Sequence, residues 1–316
     1  MPSPGDIIIT REAPFGEVAI IPAGVRGCLG QRMVLLRPNA AKVDAHYMTY
    51  ALLSHDVQRE MVAQVGAGST VGNLRIPVLK ALRIRCPELP EQRRIASALC
   101  DADALIAGLE KLIAKKRDVK QAAMQELLTG RTRLTGFGGK WETKRLGDIS
   151  HIKTGSRNNQ DKVDDGEYPF FVRSATVERI NSYSFEGEAI LVPGEGGIGS
   201  ILHYIDGRFD VHQRVYKISR FTEDVYGKFV YYSMIVHFGP HATQNSVKAA
   251  VDSLRLPTFK SFAFQAPEDV EEQKAIATVL SDMEAEIAAL EMRLSKTRDL
   301  RQGMMQELLT GRTRLI

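Results

Sequence analysis

The eleven residues MQELLTGRTRL occur at 124–134 and again, unchanged, at 305–315. Extended leftward without a gap, Gln92–Leu134 aligns with Gln273–Leu315 at a constant offset of 181, and 25 of the 43 positions are identical. Chance does not produce this; it is a duplicated structural unit. Fainter likeness continues upstream, where LRIPVLK at 74–80 answers LRLPTFK at 254–260 and GDIIIT at 5–10 answers GEAILV at 187–192. The chain therefore alternates variable and near-constant blocks, twice over.

Within the near-constant blocks, Ile95, Leu99, Ala102, Ile106, Leu109 and Ile113 step by 4, 3, 4, 3, 4, and Ile276, Leu280, Met283, Ile287, Leu290 and Leu294 repeat the pattern. That is a heptad seam. Pro90 suits a first helical turn, and Asp269 with Glu272 makes a capping-box pattern. Gly130 and Gly311 stop the helices, while Lys115, Lys116, Arg117 and Lys120 load the C-terminal half of the first, as the helix dipole favours. Each helix is expected to run about 39 residues, or about 58 Å. Neither buries its seam alone. Close packing against each other requires an antiparallel pair with the variable blocks at opposite ends and an approximate two-fold axis. The alternative is two independent helices, each lying on its own domain.

The second variable block reaches its GEAILV strand some 45 residues after Trp141, whereas the first reaches GDIIIT at residue 5. On that comparison about 40 residues are missing from the front of block one. In block two, YPFFV (168–172), AILVP (189–193), SILHYI (200–205) and RVYKIS (214–219) read as strands, and a helix is expected at 223–238. Its counterpart in block one is 45–61. The aromatic residues on both helices are read as core.

Basic and polar residues collect in expected loops: Lys144, Arg145, Lys153, Thr154, Ser156, Arg157, Asn158, Asn159 and Gln160, then Arg173 and Arg179, then Gln213 and Arg214. Such residues neutralise phosphates and make bidentate contacts to guanine and adenine edges, although a solvated loop has the same composition. A net charge of +4 permits a polyanionic partner without requiring one. Residues 194–199, GEGGIG, match a dinucleotide fingerprint in letters only. The next residues, SILHYI, are β-like and cannot offer a helix N-terminus, so a glycine-rich turn between strands is expected. No Walker lysine loop, HExxH or GxSxG elbow is present. Cys28, Cys86 and Cys100 form no CxxC pair and are expected to be reduced and mostly buried; no metal site is expected. No apolar run approaches the ~20 residues of a bilayer span and the start does not read as a signal peptide, so the expected location is cytoplasmic.

The arm openings PELPEQRRIASAL (87–99) and PEDVEEQKAIATVL (267–280), the closing LLTGRTRL segments and the stretch GDIIITREAPFGEVAIIP resemble the specificity subunits of type I restriction-modification systems over nearly the whole chain. The resemblance implies an α+β chain in which two target-recognition domains, each a mixed β-sheet plus helices, flank an antiparallel two-helix coiled coil. The expected divisions are a partial first target-recognition domain at 1–88, a first conserved arm at 89–134, a second target-recognition domain at 135–267 and a second arm at 268–316. Each recognition domain would read half of a bipartite double-stranded DNA site. The arms would dock modification (methyltransferase) subunits, two by symmetry, and restriction subunits.

It also implies a non-catalytic chain with no cofactor of its own. Adenine methylation with S-adenosylmethionine, and cleavage driven by ATP with magnesium, would belong to the partner subunits. Gln31–Arg32 and Gln213–Arg214, at matching positions after a strand, are the leading DNA-contact candidates. Lys153, Ser156 and Arg157, on the loop after the first strand of block two, come next, with Arg173 and Arg179. A rod of ~58 Å limits the spacing of the reading centres to about 17 base pairs. The short front leaves three readings of block one: a remnant, a fragment completed by another chain, or a half-reading protein that dimerises. Two functions of other classes remain as alternatives, a coiled-coil adaptor whose end domains bind protein and a nuclease built around Glu272.

Overall fold

The computed structural model describes residues 1–12, 14–65, 73–245 and 253–315. In chain order the first elements are β1 (Ile7–Thr10), β2 (Val18–Ile20), β3 (Met33–Leu36), α1 (Ala45–Leu53), α2 (His55–Val65), α3 (Ile76–Ala81) and α4 (Leu89–Leu127). Next come β4 (Trp141–Arg145), α5 (Leu146–Ile149), β5 (His151–Thr154), β6 (Tyr168–Phe171), β7 (Glu178–Ile180), β8 (Phe185–Pro193), β9 (His203–Val211) and β10 (Val215–Ser219). The chain ends with α6 (Gly227–Gln244), α7 (Leu256–Lys260), β11 (Ala263–Pro267) and α8 (Val270–Leu309). Two compact units result, one of residues 1–114 with 288–316 and one of 115–287.

In the first unit β1 pairs antiparallel with β2 and β3, in the order β2-β1-β3. Ile7 and Ile9 point from one face of β1 into a core with Leu52, Val57, Met61 and Leu74, the period-2 burial that a one-sided sheet requires. The helix expected at 45–61 is two helices, because Ser54 turns to extended backbone and its hydroxyl donates to the Ala51 carbonyl. Tyr47 and Tyr50 pack with Ile95 and Leu99 of α4 and with Met305, Leu308 and Leu309 of α8.

The second unit carries a six-stranded sheet, β5-β10-β8-β9-β6-β7, antiparallel except for β6 against β9. Strand β8 is buried on both faces. Ile190 and Val192 join a core with Phe229, Tyr232 and Phe238 of α6, while Ala189 and Leu191 pack with Phe171, Phe209 and Val215 on the other side. The same first core takes in Met124, Leu127 and Leu128 of α4 and Ile276 and Leu280 of α8. Three expected elements shift. Strand β9 starts at His203, not 200. Lys144, Arg145, Lys153 and Thr154 lie on strands rather than loops. Helix α6 starts at Gly227 and runs through Pro240, because the segment before it is held by Lys144 on Asp224 and by the Gln273 amide on the Tyr226 N–H.

In each unit α4 and α8 pair antiparallel, which answers the question of two independent helices. Arg298 reaches Glu110 and Arg301 reaches Asp103 in the first; Lys116 reaches Glu286 and Lys120 reaches Glu284 in the second. Lys116 and Lys120, expected to serve the helix dipole, thus bridge to the partner helix. Of the seam, Ile95, Leu99, Leu109, Ile113, Ile276, Leu280, Ile287 and Leu294 are buried; Ala102, Ile106, Met283 and Leu290 are half-buried.

The repeat encodes the same fastenings in both units. Glu91 and Glu272, equivalent at the offset of 181, accept bidentate pairs from the equivalent Arg314 and Arg133, all four N···O distances being 2.6 Å. Glu272 was expected to close a capping box; instead Asp269 accepts the Glu271 N–H and the Glu272 carboxylate goes wholly to Arg133. Gln92 receives the Asp44 N–H and donates to the Lys42 and Pro87 carbonyls. Gln273 does the same with Tyr226, Asp224 and Pro267. Tyr50 donates to Asp103 and Tyr232 to Glu284, the counterpart acids.

The cysteine expectation fails: Cys28 and Cys86 are exposed and Cys100 is half-buried, since only Cys100 lies on a packed helix.

Candidate nucleic-acid interface

Strands β1 to β3 of the first unit and β8 to β10 of the second have the same pairing, a middle strand flanked antiparallel by the next two. Gln31–Arg32 immediately precedes β3, and Gln213–Arg214 immediately precedes β10, so the two pairs are structurally equivalent. In block two the pair forms the short turn directly after β9; in block one it comes after β2 only by a longer excursion. All four side chains are exposed.

Each arginine is held by a glutamate standing two residues past the end of the middle strand. Arg32 Nε lies 3.0 Å from Glu12 Oε2, and Arg214 Nη1 lies 2.7 Å from Glu195 Oε1. The other Glu195 oxygen takes Arg173 Nη1 at 3.4 Å. These glutamates were not anticipated. Glu12 stands two residues after GDIIIT and Glu195 three residues after GEAILV, so aligning the copies on those strings sets Glu12 against Gly194, and the glycine fingerprint hides the second glutamate. Gly196, Gly197 and Gly199 do form a turn, with φ of 73°, 75° and 67° that side-chain-bearing residues rarely adopt.

The chain after β5 returns to the end of β9. Arg157 N–H donates to the Val211 carbonyl, Gln213 N–H donates to the Arg157 carbonyl, and the Gln213 amide donates to Asn158 Oδ1. Arg157 is only half-exposed. Its Nε lies 3.0 Å from Asp210 Oδ2 and its Nη2 donates to Ser182. Asp210, fully buried, also accepts from both Ser182 and Ser184 hydroxyls and from Val211 N–H, so its charge is completely compensated. The structure therefore gives Arg157 a bracing task in this loop.

Arg179, on the edge strand β7, donates to the Gly166 and Glu167 carbonyls just before β6 and stands apart from the Gln213–Arg214 turn in sequence and pairing. Lys153 is exposed on β5, and Ser156 is exposed on the loop beyond it. Arg173 and Glu195 line a cavity of about 670 Å³ with Asn159 and Lys162; Gln213 and Arg214 line a neighbouring one of about 260 Å³ with Tyr216 and Arg255. Together they offer amide and guanidinium groups side by side, the donor set that reads purine edges. Among the described residues no three His, Cys, Asp or Glu side chains gather as a metal site.

His212, buried beneath the turn, accepts the Arg214 N–H at Nδ1 over 3.0 Å. Burial, then the charges of Arg173 and Arg214, hold its pKa below the usual 6.5, against the opposing pull of Glu195 and Asp161. Because the neutral ring is the acceptor, its contribution is complete above pH 6.5 and is lost as pH falls through the lowered value. An NMR titration of the His212 ring is expected to show a midpoint below 6.5, with the Arg214 amide shifting in step; a midpoint at or above 6.5 removes the hydrogen bond from the account.

The sequence pattern of the family described as "Type I restriction modification DNA specificity domain" matches residues 2–116 and 138–297. The EcoDI type I specificity subunit of Escherichia coli is 28% identical over 54% of this chain, a match spanning 37% of that protein. In Methanocaldococcus jannaschii, the MjaVIII type I specificity subunit is 22% identical over 95% of this chain and 77% of its own length, and its MjaX counterpart 25% identical over 98% and 79%. The crystal structure of the type I restriction-modification S subunit from M. genitalium superimposes with a TM-score of 0.72 over 98% of this chain and 84% of that one, at 18% identity, and so shares the fold. No described helix is long and apolar enough to cross a membrane. With most of its length matched and its duplicated arms in place, the chain belongs to the type I restriction-modification specificity subunits.

Proposed function

We propose that the chain reads double-stranded DNA through the two equivalent glutamine–arginine turns, one half-site per turn, and carries no reaction of its own. One observation carries the reading: Gln31–Arg32 and Gln213–Arg214 stand at the same place in two copies of one strand arrangement, each arginine steadied by its own glutamate. A guanidinium held by a single carboxylate keeps donors free, and pre-orientation reduces the entropy lost on docking to a base edge. Lys153, Ser156 and Arg173 supply phosphate and sugar contacts around the second turn. In this reading recognition domains at 1–88 and 135–267 are mounted on arms at 89–134 and 268–316.

The arms dock two modification subunits and, through them, restriction subunits, in the cytoplasm. S-adenosylmethionine, ATP and magnesium are bound by those partners. Different residues around the two turns, on near-identical arms, suit symmetric partners reading unlike half-sites.

The test is a binding-site selection on the complex with modification subunits, read out as methylated adenines. Gln213→Ala with Arg214→Ala is expected to relax discrimination at one half-site by about 1–3 kcal/mol, leaving the other half-site intact. Affinity is expected to fall steeply with salt, as phosphate neutralisation demands and an apolar protein interface does not. Unchanged discrimination removes the turn from the site.

A further inference from the structure

The segments LRIPVLK (74–80) and LRLPTFK (254–260) keep their leucine, arginine and proline in blocks that otherwise differ, and each folds against its unit's glutamine–arginine turn. Leu74 and Leu254 are buried in the cores of their own units. The N–H of each donates, over 2.8 Å, to the carbonyl of the first residue past the middle strand, Arg11 in one unit and Gly194 in the other. The residues that come next are Glu12 and Glu195, the glutamates that hold Arg32 and Arg214. Main-chain bonds thus set Arg75 and Arg255, which follow the leucines, at the same place in both units.

The backbone is held on either side of that place. Each arginine's own carbonyl accepts, at 3.0 Å, the N–H of Val78 or Thr258 from the short helix that follows. The carbonyl of the preceding leucine meets unrelated groups, Arg11 Nε at 3.2 Å in the first unit and the Tyr216 hydroxyl at 3.5 Å in the second. The side chains of Arg75 and Arg255 are exposed, and neither caps the helix it precedes. Among the described residues neither guanidinium has a carboxylate partner, unlike Arg32 and Arg214. In the second unit Arg255 lines the cavity of about 260 Å³ with Gln213, Arg214 and Tyr216. Burial pushes the Tyr216 phenol pKa up, and the charge of Arg255 opposes the rise.

We infer that Arg75 and Arg255 each hold a backbone phosphate of the DNA beside its half-site, a contact that seats the adjacent turn without reading sequence. The inference rests on the turns being the readers. An arginine oriented by a carboxylate presents its donors in a fixed plane, as the two acceptors of a guanine edge require. An arginine on fixed backbone with an unheld guanidinium suits a phosphate, whose oxygens accept from many directions. Its charge also acts undiminished, whereas Arg214 shares Glu195 with Arg173.

The experiment measures the DNA affinity of the full chain, in complex with modification subunits, for the selected site and for sites altered in either half, over a range of salt. Arg255→Ala is expected to weaken binding to all of them by a common factor of about five to ten, and to reduce the salt slope by about 0.9, the value of one phosphate. Preference among sites stays within about twofold, in contrast to Gln213→Ala with Arg214→Ala. Arg255→Lys is expected to keep most of the affinity, since lysine serves a phosphate as a point charge. A neutral methylphosphonate placed at single backbone positions locates the contact. One position is expected to weaken the unaltered chain by that same factor and to leave Arg255→Ala unaffected. Arg75→Ala is expected to behave alike, with its sensitive phosphate beside the other half-site. The inference is overturned if Arg255→Ala leaves affinity and salt slope as they were, if it relaxes discrimination, which would make Arg255 a base reader, if Arg255→Lys binds as weakly as Arg255→Ala, or if no methylphosphonate position tells the two chains apart. The reading of the turns fails on a different result, unchanged discrimination in the glutamine–arginine variant.

Discussion

Arg133→Ala is expected to be the most damaging single change to an arm. It strands the Glu272 carboxylate at 0% exposure with both oxygens unpaired. Leaving a buried charge without its partner costs about 3–5 kcal/mol, more than the pair itself contributes. The opposite change, Glu272→Ala, leaves a guanidinium that is one-quarter exposed and able to turn to water, so it is expected to cost less. Arg314→Ala, the equivalent change in the first unit, is expected to be milder than Arg133→Ala, because Arg314 is itself more than half exposed and water already reaches that pair. Urea denaturation of the three variants decides the matter. Equal losses for Arg133→Ala and Arg314→Ala would show that burial of the pair is not what sets the penalty.

Gly155→Ala is expected to abolish reading by the second unit. A methyl group there would sit 1.9 Å from the Val211 carbonyl oxygen and 2.8 Å from that of His212, both main-chain atoms that cannot step aside. The loop after β5 must then lift from the end of β9. With it go the Arg157 guanidinium that neutralises buried Asp210 and the Asn158 side chain that orients Gln213. Overpacking combined with partial exposure of a buried charge is expected to cost about 3 kcal/mol. Specific DNA affinity is expected to fall at least tenfold, with the helical signal of the arms retained in circular dichroism. Retained affinity would show that the loop is dispensable for recognition.

The arms were legible because their information is local and periodic. A heptad written twice leaves little choice of structure, and both helices end within three residues of their stop glycines. What the arms fasten to was not legible. Glu272 sits in a capping-box pattern, and nothing nearby in sequence announces that its partner is Arg133, 139 residues earlier. The strands around β8 were found by their apolar runs, while β9 was misplaced at its start because Ser200 to Leu202 share the composition of a strand but come directly after a glycine turn. The Gln213–Arg214 turn was found by comparing the copies. Its glutamates were missed because each belongs to a different local motif, and the bracing of Arg157 was missed because Asp210 lies on a distant strand.

The glutamines at the arm entrances hold chiefly peptide groups: Gln92 engages the N–H of Asp44 and the carbonyls of Lys42 and Pro87, with the Cys86 sulfur 3.2 Å from its amide, and Gln273 repeats the main-chain contacts with Tyr226, Asp224 and Pro267. A fastening made chiefly to the main chain works like a standard socket. Mutation or recombination can replace everything mounted above it, and so alter which sequence is recognised, while the junction with the shaft keeps its geometry.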